Sequence, residues 1–295
     1  MYQRPWNDLV GWVRVDDRHL SVVWRDGRVT LIDVPTGRIV WKTGLPDGPA
    51  AEAGRAMDGE WHAMWELSVA GSGIMVVPHD GRVDALDTRT GATVWSRFQK
   101  TSCGPIDGVR GVGEVVVVNH QCGKPQSFAL GAGDRSPRWR VPIDPLAYIA
   151  RDIGRGLLVN LDEWGGPVVR GTADGKVIWR DPAAGLRDGV GVDSFGVTAE
   201  LLLVDTPAGI VAYRVADGSI AWRRPLDRPA GTSDAVLTDG RVAYVRGDER
   251  TVVKLDARTG EVIDRRRFEE EVGLRVMRGD LAVVTVGIGD DRVVG

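Results

Sequence analysis

The chain has 295 residues, 43% of them hydrophobic, and carries 41 acidic against 38 basic residues for a net charge of -3. So even a balance offers no overall field for nucleic acid or an anionic membrane, and no window approaches the roughly 18–20 uninterrupted apolar residues of a membrane-spanning helix. Met1 to Val15 also lacks the basic start and apolar stretch of a signal peptide, so export would require a signal or anchor upstream.

Read in chain order, the sequence repeats one phrase: a strand ending in Leu-Asp or similar, a turn often written Thr-Gly, and a second strand ending in Trp. It reads GRVTLIDVPTGRIVWK from Gly27 and GRVDALDTRTGATVWS from Gly81. Two worn copies, QSFALGAGDRSPRWRV and GPVVRGTADGKVIWR, close at Trp139 and Trp179. GIVAYRVADGSIAWRR follows from Gly209, and TVVKLDARTGEVIDRR from Thr251 puts Asp264 in place of the Trp. The closing position falls at 41, 95, 139, 179, 222 and 264, a period of about 42 residues with one step of 54. Alternating apolar residues such as Val29 and Leu31, or Val83 and Ala85, predict strands with one face in a core. The glycine accepts a positive φ in the turn, and Asp33, Asp87 and Asp256 accept backbone hydrogen bonds across it.

Two further apolar strands precede each phrase, so each unit predicts a four-stranded sheet, the composition of a propeller blade. The expected blades are 9–43, 62–97, 108–141, 147–181, 190–224 and 233–268, with a seventh over 271–295. That seventh unit offers three strands, Val272 to Met277, Leu281 to Val286 and Asp291 to Val294. Tyr2 to Trp6 ends in Trp as the other fourth strands do, and is expected to complete it. The reading is one all-β domain, a seven-bladed β-propeller of antiparallel blades closed by the N-terminal strand, which removes open sheet edges.

Ala85-Leu86-Asp87-Thr88-Arg89-Thr90-Gly91 followed by Trp95 resembles the hallmark A-L-D-x-x-T-G-x-x-x-W of the PQQ-like (quinoprotein) repeat family. The resemblance spans essentially the whole chain. It implies the propeller fold without choosing a function, since the family includes quinone-dependent dehydrogenases, outer-membrane assembly lipoproteins, sensor ectodomains and propellers without known activity. The dehydrogenases are about twice this length and carry an adjacent Cys-Cys pair; here Cys103 and Cys122 stand apart. Pyrroloquinoline quinone is therefore not expected, no cofactor is assigned, and a bound Ca²⁺ has no ligand spacing to support it. The Trp residues read as packing between blades.

In a four-stranded meander, the turns between strands two and three emerge at the same end as the links between blades. That end collects the candidate binding residues. The long step places an extra loop over Leu45 to Glu60, followed by Trp61, His62 and Trp65; turns of neighbouring blades carry His79, His120, Glu163 and Trp164. Asp162, Asp205, Asp248, Glu249, Asp290 and Asp291 share this rim, which suits a cationic ligand or basic peptide, although turns favour Asp for conformational reasons alone. No metal motif and no catalytic constellation stands out. Cys103 and Cys122 fall at the same end of one blade, and a disulfide between them would close a loop of about 20 residues and imply an oxidising compartment.

The expected function is a non-catalytic scaffold, a bacterial extracytoplasmic monomer binding a protein, peptide or glycan through the insertion-bearing end. Nucleic acid and direct membrane insertion are not expected. Two alternatives differ in kind: a small quinone-dependent dehydrogenase, hydrolase or lyase acting in the central channel, and an outer-membrane assembly factor.

Overall fold

The computed structural model describes residues 9–24, 26–45, 67–71, 73–79, 82–98, 106–120, 126–142, 151–161, 166–181, 195–206, 208–226, 236–278, 281–286 and 292–294. Every regular element among them is a strand. The first sheet is β1 (Leu9–Arg14), β2 (His19–Trp24), β3 (Arg28–Asp33) and β4 (Arg38–Gly44); the second is β5 (Ser68–Ala70), β6 (Ile74–His79), β7 (Arg82–Asp87) and β8 (Thr93–Phe98). The third runs β9 (Ile106–Val112), β10 (Val115–His120), β11 (Gln126–Gly131) and β12 (Pro137–Pro142), and the fourth β13 (Arg151–Gly154), β14 (Leu157–Leu161), β15 (Pro167–Gly171) and β16 (Val177–Arg180). The fifth is β17 (Phe195–Val197), β18 (Leu201–Thr206), β19 (Gly209–Arg214) and β20 (Ile220–Pro225); the sixth is β21 (Leu237–Thr238), β22 (Val242–Asp248), β23 (Thr251–Asp256) and β24 (Val262–Arg267). A last sheet holds β25 (Val272–Arg278), β26 (Leu281–Val286) and β27 (Arg292–Val294).

Each sheet is an antiparallel meander whose strands pair in chain order, as the repeated phrase predicts. The three expected strands after Phe268 are present, within a residue of their predicted bounds. The closing strand expected at Tyr2 to Trp6 lies outside the described residues.

The chain divides into two compact units. The first holds residues 1–152, 156–158 and 171–176; the second holds 153–155, 159–170 and 177–295. In the first unit, Val23 and Val29 of the first sheet pack with Met75, Val77 and Leu86 of the second. The opposite face of that second sheet, with Val76, Ala85 and Trp95, packs on Val109, Val116 and Val118 of the third. Both faces of the sheet are thus buried, which is why β7 reads as nearly continuous burial instead of alternation. In the second unit, Leu203, Ile210 and Ala212 of the fifth sheet bury against Ala243, Val245 and Leu255 of the sixth. Apolar faces that a lone sheet would leave wet are covered by the next repeat.

The fourth strands are edge strands, and many of their apolar residues remain outside the core: Ile39, Val40, Val94, Val177, Ile178 and Ile263 are all exposed. Their tryptophans are not. Each is drawn against the following sheet, and that contact organises the site.

Candidate functional site

The turn between the third and fourth strands is built the same way in six sheets. A hydrogen bond closes it from the fifth residue back to the first, for example Gly37 N to Asp33 O at 2.8 Å, Gly91 N to Asp87 O at 2.8 Å and Gly260 N to Asp256 O at 2.8 Å. The closing residue has a left-handed φ at every copy: +66° at Gly37, +73° at Gly91, +69° at Gly175, +73° at Gly218 and +71° at Gly260. In the third-sheet copy, recognised in the sequence as a worn phrase, the closing residue is Arg135, which holds the same conformation at +58° and was not anticipated. Its N–H bonds Gly131 O at 2.9 Å and its guanidinium donates to Ser96 O at 2.8 Å, tying a non-glycine residue into the strained position.

Where the phrase is intact, the turn Asp accepts from the Thr amide and hydroxyl: Asp33 from Thr36 at 3.0 and 2.7 Å, Asp87 from Thr90 at 2.8 and 2.9 Å, Asp256 from Thr259 at 2.8 and 3.1 Å. All three carboxyls are held below the ordinary value of 3.8. The Thr36 hydroxyl leads at Asp33, and the Thr259 amide leads at Asp256; at Asp87 burial opposes the shift but is outweighed by Thr90 and Arg89. In the two worn copies and in the copy from Gly209 the carboxylate moves into the turn, where Asp134, Asp174 and Asp217 each accept the amide two residues on.

A depressed folded pKa contributes stability that is fully present above 3.8, the unfolded value, and is lost as pH falls through the folded one. Asp87→Asn is therefore expected to lower the melting temperature at pH 7, and to lower it less at pH 2. Scanning calorimetry at the two pH values checks this; an equal deficit at both would mean the carboxylate charge is irrelevant.

Among the described residues, five of the six turns receive an indole from the preceding sheet. Trp41 donates through Nε1 to Thr88 O at 2.8 Å, Trp95 to Ala132 O at 2.6 Å, Trp139 to Thr172 O at 2.7 Å, Trp179 to Val215 O at 2.9 Å and Trp222 to Ala257 O at 3.2 Å. The ring lies over the turn glycine. A Cβ built on Gly91, Gly175, Gly218 or Gly260 would stand 2.6, 2.7, 2.6 or 2.5 Å from a ring carbon of that Trp. Glycine is required twice there, by φ and by the indole. Gly91→Ala is expected to cost about 2–4 kcal/mol, from the left-handed strain plus overpacking. Gly37→Ala, with a similar φ but nothing among the described residues within 4 Å, is expected to cost about 1–2 kcal/mol. Urea melts of the two variants measure the difference, which is the indole's share; equal losses would remove it.

The opposite end of each sheet carries the turns between the second and third strands. β6 and β10 end at His79 and His120, whose backbones pair with Arg82 and Gln126, so the two histidines occupy equivalent register positions. Their side chains lie outside the description, as do Trp61, His62, Trp65, Glu163, Trp164, Cys103 and Cys122 altogether. Of the expected acidic rim, Asp205 is buried at the end of β18. Asp248 accepts Arg250 N at 2.7 Å and the Thr251 hydroxyl at 3.0 Å, so it shapes its own turn. Burial opposes but does not outweigh these bonds, and its pKa is lowered. Among the described residues no three His, Cys, Asp or Glu side chains converge as a metal site.

Two buried polar groupings also escaped sequence reading. Arg82 and Asp84, 5% and 0% exposed, pair at 2.8 Å on β7, and Ser96 donates to the same carboxylate while accepting from Arg82 at 2.9 Å. Tyr213, 1% exposed, donates to Asp181 at 3.0 Å and stacks on Trp179 with ring centres 5.6 Å apart. Burial, then the Asp181 charge, push its phenol well above its ordinary value.

Antiparallel four-stranded meanders repeated in series, with turns locked by tryptophan, define an all-β propeller assembled from PQQ-like repeats. The chain belongs to the family of the outer membrane protein assembly factor BamB, whose sequence profile matches residues 3–161 and 165–294. Among solved structures, BamB from Moraxella catarrhalis is 16% identical with a TM-score of 0.60, over 94% of this chain and 80% of that one. A europium-containing methanol dehydrogenase is 14% identical with a TM-score of 0.60, over 94% and 76%. The WD40 β-propeller domain of Doa1 is 16% identical with a TM-score of 0.53, over 97% and 91%. At such identities the likeness is one of fold. A search of curated proteins found no match.

Proposed function

We propose that the protein is an extracytoplasmic scaffold that binds a protein partner and performs no chemistry of its own. The observation that carries this reading is the BamB family match along nearly the whole chain. A propeller scaffold presents many loops on a rigid frame, which suits recognition. The insertion after Leu45 and the tryptophans at 61, 65 and 164 are the proposed contact residues, and Trp164→Ala should weaken binding with an unchanged melting temperature. Cys103 and Cys122 are proposed to form a disulfide, consistent with an oxidising compartment. Alkylation before and after reduction, read by mass spectrometry, tests that pairing.

The test of function is a crosslinking pull-down from envelope and secreted fractions of the native host, using the full chain and a variant lacking most of Leu45 to Glu60. A specific protein recovered by the full chain and lost by the variant supports the scaffold and locates its face. Recovery of nothing by either, together with dye reduction on adding quinone and Ca²⁺, would overturn it in favour of an enzyme.

A further inference from the structure

Six turns share one construction, and the third-sheet copy departs from the others in two positions that face the second sheet. Its closing residue is Arg135 at φ +58°, where the other five have glycine. Phe128 on β11 stands opposite Arg140 on β12; that register holds Thr30, Asp84, Val168, Val211 and Val253 in the other sheets, none of them aromatic. Both departures meet the end of β8. The Arg97 guanidinium lies over the Phe128 ring, 4.5 Å from its centre, and the Arg140 guanidinium lies 6.0 Å from the same centre. Arg135 donates to Ser96 O at 2.8 Å, the carbonyl that precedes Arg97.

Three guanidiniums from three elements are thus collected at one ring. Phe128 is 8% exposed, while Arg135 and Arg140 are exposed and Arg97 is half-buried. Like charges held this close repel. Burial, then the charges of Arg135 and Arg140, hold the Arg97 guanidinium below its ordinary value. The turn's own carboxylate is directed elsewhere: Asp134 accepts from the Ser136 hydroxyl at 2.7 Å and pairs with Arg138 at 3.5 Å. The fifth sheet shows another use of an arginine at this place. Arg224, two residues after its Trp as Arg97 is, donates to the turn carbonyl of Gly260 at 2.7 Å. Arg97 is carried on an aromatic face instead, an arrangement that leaves the in-plane N–H donors of a guanidinium to an anion.

We propose that Arg97, Arg135 and Arg140 bind a phosphate group beside Phe128. The site goes beyond the scaffold reading and does not depend on a protein partner. Phosphate brings about two negative charges near neutral pH and several strong acceptor oxygens, so guanidiniums arriving from different elements each find one. A carboxylate brings one charge in one plane, which a single arginine satisfies. Free phosphate and a phosphomonoester share this chemistry.

Calorimetric titration of the full chain with inorganic phosphate, at matched ionic strength, tests the site. One saturable site is expected, weakened roughly tenfold by Arg135→Gly, Arg97→Gln or Arg140→Gln. Arg135→Gly restores the glycine of the other five turns and relieves the left-handed strain, so its circular dichroism and melting profile should match the wild type. Its loss of binding would then not come from unfolding. Arg180→Gln removes the arginine at the register of Arg140 in the fourth sheet and should leave the affinity unchanged. Equal weakening by Arg180→Gln would mean diffuse surface charge and overturn the site. So would the lack of saturable binding, acetate binding as tightly as phosphate, or phosphate binding that Arg135→Gly leaves intact. Titration with glycerol 3-phosphate separates the sources: tighter binding than the free ion assigns the site to an esterified phosphate, weaker binding assigns it to the free ion, and either supports the site.

Discussion

Trp179→Ala is expected to cost about 3–5 kcal/mol, the largest loss of any single tryptophan in the second unit. Trp179 is 8% exposed, and three separate contacts end on its indole. The N–H bonds Val215 O at 2.9 Å, the ring covers Gly218, and its other neighbour is the buried Tyr213 ring at 5.6 Å. Removing it leaves a cavity, strands a carbonyl and loosens the Tyr213–Asp181 hydrogen bond. Trp179→Phe keeps an aromatic ring of smaller volume and loses the N–H bond, so it should recover all but about 1–3 kcal/mol. Trp222 is less buried and has no ring partner among the described residues, so its alanine variant should lose less. Calorimetric melting of the three variants checks the order. A Trp179→Phe variant as unstable as the alanine would mean that the hydrogen bond, and not packing, dominates.

Asp84→Ala is expected to cost about 3–5 kcal/mol by a different route, because it leaves the Arg82 guanidinium buried without its carboxylate. The group is 5% exposed, so water cannot replace the partner unless β7 shifts away from the neighbouring sheets. The paired replacement Arg82→Met with Asp84→Val should restore most of the loss, since two apolar side chains close to the originals in volume escape the desolvation cost. Urea unfolding of wild type, single and double variants decides this. If the double variant is no better than the single, the pair is irreplaceable where it stands, and specific hydrogen bonds to Ser96 outweigh desolvation.

The repeat was legible because its parts are local. Leu86-Asp87 followed by Thr90-Gly91 specifies a hairpin within seven residues, and Asp87 makes the hydrogen bonds that its position implies. The worn copies were harder, since Gly131 and Gly171 replace the first Asp and the carboxylate reappears three residues later at Asp134 and Asp174. The turn survives because either placement satisfies an amide. Arg135 was illegible for a related reason: nothing in its neighbours signals a left-handed φ, and it is tolerated through a bond to Ser96, 39 residues away.

The sequence by itself determined the strand order, the period of about 42 residues, the turn chemistry and the tryptophan that ends five of the six phrases. These follow from interactions between residues a few positions apart, and a linear text records them. Only the tertiary structure decided where each indole N–H goes, since its acceptor lies 33 to 47 residues downstream. It also decided that Arg82 and Asp84 are buried together, because β7 is covered on both faces by neighbouring repeats. It also placed an indole against five of the six turns among the described residues, each brought there by the preceding sheet.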